Sequence, residues 1–188
     1  MALVLLWIVL GIVIVLALAF IVYYNRFTVL ENRIDNSLSQ INVQLKKRAD
    51  LVPNLIESVK GYVKHEKGVM TEVTNARKAF LSASGKGDIQ KTVRAGAELQ
   101  AALKSIFALA ENYPQLKANE NFLHLQQELS AIEDKVAYSR QFYNDSILSF
   151  NNSVETFPGF MFAKLYGKKE KQMLSIPAEE KVVPKVRF

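Results

Sequence analysis

The sequence predicts an all-α protein: an N-terminal transmembrane helix followed by an antiparallel up-and-down bundle of long helices. Three observations carry this. Residues 2–24 contain no charged side chain. From Phe27 to Val154 apolar residues recur every three or four positions, the period of a helix with one buried face. No segment alternates apolar and polar residues over the length of a strand, so no sheet is expected.

The opening run is built of Leu, Val, Ile, Ala and Phe. At ~1.5 Å per residue, ~20 apolar residues cross the ~30 Å hydrocarbon layer. Trp7 lies near one end and Tyr23 and Tyr24 near the other, with Arg26 closing the segment. Aromatic rings with a polar edge belong at those levels, so these four are the candidate membrane-interface residues. The competing reading is a cleaved signal peptide, because Ala17-Leu18-Ala19 resembles a cleavage site. Against it stand the lack of a basic stretch before the run and its continuation through Phe20, Ile21 and Val22. Arg26, Arg33, Lys46, Lys47 and Arg48 all follow the run and no Lys or Arg precedes it. The positive-inside rule therefore expects a single pass of the cell membrane, with the N-terminus outside and the bundle in the cytoplasm. Gly11, Ala17 and Ala19 offer small surfaces for helix packing in lipid, although no Gly-x-x-x-Gly is present.

The three regions expected are the transmembrane helix at 1–24, a bundle at 25–157, and an apolar segment with a basic tail at 158–188. In the bundle, Phe27, Leu30, Ile34, Leu38, Ile41 and Leu45 form the first stripe, with nothing to stop the membrane helix from running straight into it. Pro53 either kinks that helix or opens a new one. Beyond it, Leu55, Val59, Val63, Val69, Val73, Ala76 and Phe80 continue a stripe. Ser84-Gly85-Lys86-Gly87 reads as a turn and Asp88 as the N-cap of a helix carrying Ile89, Val93, Leu99, Leu103, Ile106 and Ala110. Tyr113-Pro114 stops it. A last long helix, starting between Pro114 and Asn119, carries Phe122, Leu125, Leu129, Ile132, Val136, Tyr143, Ile147, Phe150 and Val154 and ends at Pro158-Gly159. Burying each such side chain contributes ~1.5–3 kcal/mol before chain entropy is subtracted, so a charge at Leu129 or Ile132 should unfold the domain. Residues 158–167 are apolar for an exposed segment and either pack on the bundle or lie against lipid. In the tail, Pro184, Val186 and Phe188 alternate with basic residues, as in an extended docking peptide; the plainer alternative is a solvated end.

Two stretches resemble the LemA family. The first runs from Ile41 through Lys46-Lys47-Arg48-Ala49-Asp50-Leu51-Val52-Pro53-Asn54-Leu55 to Val59-Lys60-Gly61-Tyr62 and His65-Glu66. The second comprises Glu111-Asn112-Tyr113-Pro114-Gln115-Leu116-Lys117-Ala118 and Arg140-Gln141-Phe142-Tyr143-Asn144. The ending Pro184 to Phe188 is similar too. Lys47 stands where Arg is usual in the family. The resemblance implies a prokaryotic membrane protein with one N-terminal span and a bundle of long helices. A magnetosome protein is placed in the same family, which implies organisation of membranes as one use of the fold.

The chain offers little to catalysis. It has no Cys and two His, which excludes disulfides, thiolate metal sites and cysteine nucleophiles. His65 has no second His four residues away, and His124 lacks the paired Glu-x-x-His spacing of a di-iron bundle. No Gly-x-Ser-x-Gly elbow or phosphate-binding Gly-rich loop occurs. The expectation is a non-enzyme with no cofactor and no metal. The net charge is +6, of which residues 168–188 supply three. The basic residues beside the span suit anionic headgroups better than nucleic acid, which needs them concentrated on one face. One polar group stands out: Lys46, Lys47, Arg48, Asp50, Asn54, Glu57 and Lys60, with Arg77 and Arg140 as possible partners from other helices. Asp50, Asn54 and Glu57 share a helix face. The group is either a register-setting network or a patch that binds a partner. Expected partners are the bilayer, a protein and a second copy of the chain.

Overall fold

In the computed structural model, residues 1–63, 66–85 and 87–175 are described. They form six helices: α1 (Ala2–Lys60), α2 (Lys67–Ser84), α3 (Ile89–Ala110), α4 (Pro114–Lys117), α5 (Glu120–Glu155) and α6 (Gly159–Leu165). No strand occurs among the described residues. The chain divides into two compact units, and α1 and α5 run through both. Among the described residues, the first unit holds 1–39 and 140–173; the second holds those of 40–139 with Leu174 and Ser175.

α1 is continuous for 59 residues. Its apolar opening and its bundle portion are therefore one helix, as the unbroken sequence between Tyr24 and Ile34 allows. The buried seam of α1 runs Phe27, Leu30, Ile34, Ser37, Ile41, Leu45, Arg48, Val52, Leu55 and Val59. Steps of three and four hold throughout. Counting only apolar residues put Leu38 in this stripe, but the seam passes through Ser37 and leaves Leu38 half-buried. The geometry of the helix outranks the polarity of one small residue.

Pro53 lies inside α1 without ending it. Proline has no N–H, so the carbonyl of Ala49 four residues back loses its helical partner. Ala49 is fully buried, out of reach of water. Arg77 on α2 donates from Nε to that carbonyl at 2.7 Å, which repairs the defect from outside the helix. Arg77→Ala should cost about 1–3 kcal/mol by orphaning a buried carbonyl, and Pro53→Ala in the same chain should restore most of it. Chemical denaturation of the four proteins of this cycle checks the coupling; purely additive effects would show that the arginine is not tied to the proline.

The stripe from Leu55 to Phe80 is not one helix. α1 stops at Lys60, Gly61 and Tyr62 turn, with the N–H groups of Tyr62 and Val63 donating back to the Val59 carbonyl, and α2 begins at Lys67. Gly61, a weak helix former, marks the break. Val63 remains buried beyond it, which is why the apolar spacing looked uninterrupted. Asp88 caps α3 as expected, accepting from Lys91 N at 3.1 Å. That backbone N–H, then the Lys91 side chain, holds the Asp88 carboxyl below its ordinary value. Gly87 takes φ +70° in the preceding turn, a conformation glycine adopts without strain; Lys86 is outside the described residues. α4 starts with Pro114 at its first turn. Asn119 then caps α5, its Oδ1 accepting from Phe122 N at 3.0 Å.

The buried positions of α5 are Phe122, Leu125, Leu129, Ile132, Val136, Ser139, Tyr143, Ser146, Phe150 and Ser153, with Ile147 beside them. The three serines recur every seven residues, on one line of the helix. Ser146 and Ser153 satisfy their hydroxyls on the carbonyls of Phe142 and Ser149, at 2.8 and 3.0 Å. A small hydroxyl bonded to its own helix can sit in an apolar seam without a stranded polar atom. In the first unit, Ser37 Oγ meets Ser146 Oγ at 3.3 Å and Phe27 packs edge-on against Phe150. In the second, α3 packs on α2, and Phe107 of α3 meets Phe122 of α5. In both, α5 runs antiparallel to α1. Gly96 of α3 lies so close to α1 that a Cβ there would stand 2.8 Å from a Leu45 methyl.

Gly159–Leu165 form α6, and a turn follows it. Its inner face and Tyr166 pack on α1 from Phe20 to Phe27, where the apolar run gives way to the bundle seam.

Candidate functional site

Two places concentrate the residues that sequence reasoning singled out, one in each unit.

In the first unit α1 carries its apolar opening. Residues 2–18 are all exposed, and Leu3, Leu6, Trp7, Ile12 and Leu16 each show more than half of their surface. A soluble protein does not leave so long an apolar helix uncovered. It is the one helix among the described residues that is long and apolar enough to cross a membrane. Where the run ends, α6 is fastened to it. Tyr23 stacks face to face on Phe162, with centroids 4.6 Å apart. Tyr166 donates its hydroxyl to the Phe20 carbonyl at 2.6 Å and meets the rings of Phe20, Tyr24 and Phe27 edge-on. Gly159 permits this contact: a Cβ there would collide with the Ser153 carbonyl.

Polar clasps lie just beyond the rings. Lys168 reaches Glu31 at 2.7 Å, both about a quarter exposed. Asn151 clamps the backbone of Lys171 by two bonds, each 2.9 Å. The Lys171 ammonium sits 5.2 Å from the centre of the Phe150 ring, a cation–π distance. Burial, with Asp35 nearby, pushes the Tyr143 hydroxyl up. Of the four interface candidates, Tyr23 and Tyr24 join this collar, Arg26 is exposed beside it, and Trp7 is exposed on the apolar run. Sequence reasoning missed Phe20, Phe162, Tyr166, Glu31 and Lys168. The only signal was the apolar, aromatic character of residues 160–166.

The second place is the polar group of the second unit, which the fold takes apart. Arg48 is 2% exposed, at a seam position of α1. Its guanidinium pairs with Glu133 of α5 and donates to the Gly96 carbonyl of α3 at 3.3 Å. Neither partner was identified from the sequence, because the pairing joins positions 85 and 48 residues apart. Glu57 pairs instead with Lys60 one turn on, in the open. Asp50, Asn54 and Lys46 are exposed, and Arg77 serves the Ala49 carbonyl. Arg140 falls in the first unit.

Beside Arg48 the surface opens into a shallow groove of ≈ 370 Å³. Lys47 and Asp50 of α1 face Glu128 and Lys135 of α5 across it, with Leu51 and Ile132 among its apolar lining. Its charges balance, so it has no strong field for an anion or a cation. Among the described residues no group of three or more His, Asp or Glu is placed to hold a metal. His124 is exposed on α5. His65 and the tail positions Pro184, Val186 and Phe188 lie outside the described residues.

The family model described as "LemA family" matches residues 37–188. A curated relative, Protein LemA of Metamycoplasma hominis, is 28% identical over 152 residues, covering 77% of this chain and 67% of that protein. Magnetosome protein MamQ of Magnetospirillum gryphiswaldense is 22% identical over 169 residues, covering 78% of this chain and 62% of its own length. Magnetosome protein MamQ 2 of Paramagnetospirillum magneticum is 20% identical over the same length. The chain thus spans about two thirds of the length of these relatives.

Proposed function

This chain belongs to the LemA family, and from that premise we propose that it is a single-pass, membrane-anchored protein whose helical bundle recruits partners and self-associates at the membrane, without catalysis. The observation that carries this reading is the exposed apolar opening of α1, continuous with the helix that forms the bundle. The anchor and the α1 seam of the first unit, from Phe27 to Ser37, are thus parts of one helix with no linker between them. Confining partners to a surface raises their effective concentration without any new contact. The positive-inside rule places the bundle in the cytoplasm.

The absence of cysteine makes one variant enough for the test. Tyr138→Cys puts a unique thiol on an exposed ring position of the second unit. The labelled protein should stay in the membrane pellet through an alkaline carbonate wash. A membrane-impermeant maleimide should reach the thiol only after the cells are permeabilised. A thiol-directed crosslinker should yield species larger than the monomer. Release by carbonate would sink the anchor, labelling of intact cells would reverse the orientation, and monomer at every crosslinker length would remove recruitment and self-association.

The magnetosome names of two relatives favour a second reading, an oligomeric scaffold that remodels the membrane. A ladder made only of this chain, with reshaped vesicles on reconstitution, would select it over recruitment of other proteins.

A further inference from the structure

We infer that α6 is a second membrane contact: its outer face lies in the boundary between headgroups and acyl chains of the same leaflet that α1 leaves, and its ligand is phospholipid. This deepens the anchored reading above and rests on it.

α6 and the residues flanking it present two faces. Gly159, Phe162, Ala163 and Tyr166 turn inward, with Gly159 and Ala163 buried. Phe157, Phe160, Met161 and Leu165 turn outward and are 78%, 46%, 55% and 68% exposed. Four large apolar side chains within nine residues form a patch that a soluble surface rarely leaves open. The position of the patch identifies its occupant. The inner face is fastened to α1 between Phe20 and Phe27, a rise of about 10 Å along the helix. That interval is the end of the uncovered apolar run and the first turns beyond it. The patch therefore continues the lipid-facing surface of α1 sideways, at the level where the hydrocarbon gives way to headgroups.

The chemistry of the rim agrees. Lys164 and Lys169 are exposed at the same end, where anionic headgroups attract ammonium groups. Lys168 is held by Glu31, which ties the chain leaving α6 to α1. The Tyr166 hydroxyl is satisfied on the Phe20 carbonyl, so no polar side chain of the inner face needs water. Aromatic and aliphatic residues beside lysines are what an interfacial helix presents to a bilayer.

The test uses the full chain in vesicles of equal parts phosphatidylcholine and phosphatidylglycerol. The chain has one Trp, so Trp7→Phe supplies a silent background. Into it go, singly, Phe160→Trp, Phe157→Trp, Leu10→Trp in the apolar run and Tyr138→Trp in the second unit. Phosphatidylcholine brominated high or low on the acyl chain then serves as the quencher. The indoles introduced at positions 160 and 157 should emit to the blue of the one at position 138 and be quenched most by the shallow bromines. The indole at position 10 should be quenched most by the deep bromines, and the one at position 138 by neither. Water-like, unquenched emission from both α6-side variants, with quenching retained in Leu10→Trp, would overturn this inference and leave the anchor standing. Loss of quenching in Leu10→Trp would overturn the anchor and this inference together. Blue-shifted but unquenched emission from Phe160→Trp and Phe157→Trp would mean that protein covers the face, and the lipid assignment would fall.

Discussion

Glu133→Ala is expected to destabilise the bundle by about 3 kcal/mol, while Arg48→Met costs markedly less. The pair joins a guanidinium that is 2% exposed to a carboxylate that is 37% exposed. Removing one member of a buried pair costs ~3–5 kcal/mol because the other charge is stranded. The half-open position of Glu133 brings the figure to the lower end of that range. The two deletions are not equivalent. Without Glu133, Arg48 remains charged in the seam between α1, α3 and α5. Without Arg48, Glu133 turns to water, and a Met fills the space with the kind of chain a seam accepts. The Gly96 carbonyl keeps its place in α3 either way. Urea denaturation of both variants and the double variant checks this. Equal costs, or a larger one for Arg48→Met, would show that the pair is not limited by the burial of the arginine.

Leu129→Asp is expected to abolish cooperative unfolding of the second unit, and Leu123→Asp to leave it nearly unchanged. The two leucines lie on one helix, but Leu129 is 2% exposed and Leu123 40%. Truncating a buried leucine alone costs ~2–5 kcal/mol, and an unpaired carboxylate adds its own desolvation. Domains of this size hold only ~5–15 kcal/mol in total. Circular dichroism melts of the two variants in detergent give the comparison. A sharp transition retained by Leu129→Asp would mean that the α5 seam does not hold the bundle together.

These variants separate what the sequence by itself determined from what folding decided. The class of the protein was local information. A charge-free run long enough to cross a bilayer, a three-and-four spacing of apolar residues, a Gly-rich turn and the Asp88 cap each reside in a few neighbouring positions, and each appears in the structure. The family was legible for a similar reason, since its motif is a contiguous stretch around Lys46–Leu55 that the family model also covers.

Pairing between helices was decided only by the tertiary structure. Helical periodicity says which residues share a face, not which face of which helix they meet. The charges at 46–60 therefore looked like one network on sequence spacing alone. Folding placed Arg48 in the seam, Glu57 in the open, and Arg77 on the carbonyl that Pro53 vacates. Ser37 and Ser146 were passed over because polarity argues against burial, yet a hydroxyl bonded to its own helix satisfies the same rule. The collar depends on rings 146 residues apart in Phe20 and Tyr166. No local pattern can announce such a contact, because its energy exists only once the chain has closed the loop that brings the two ends together.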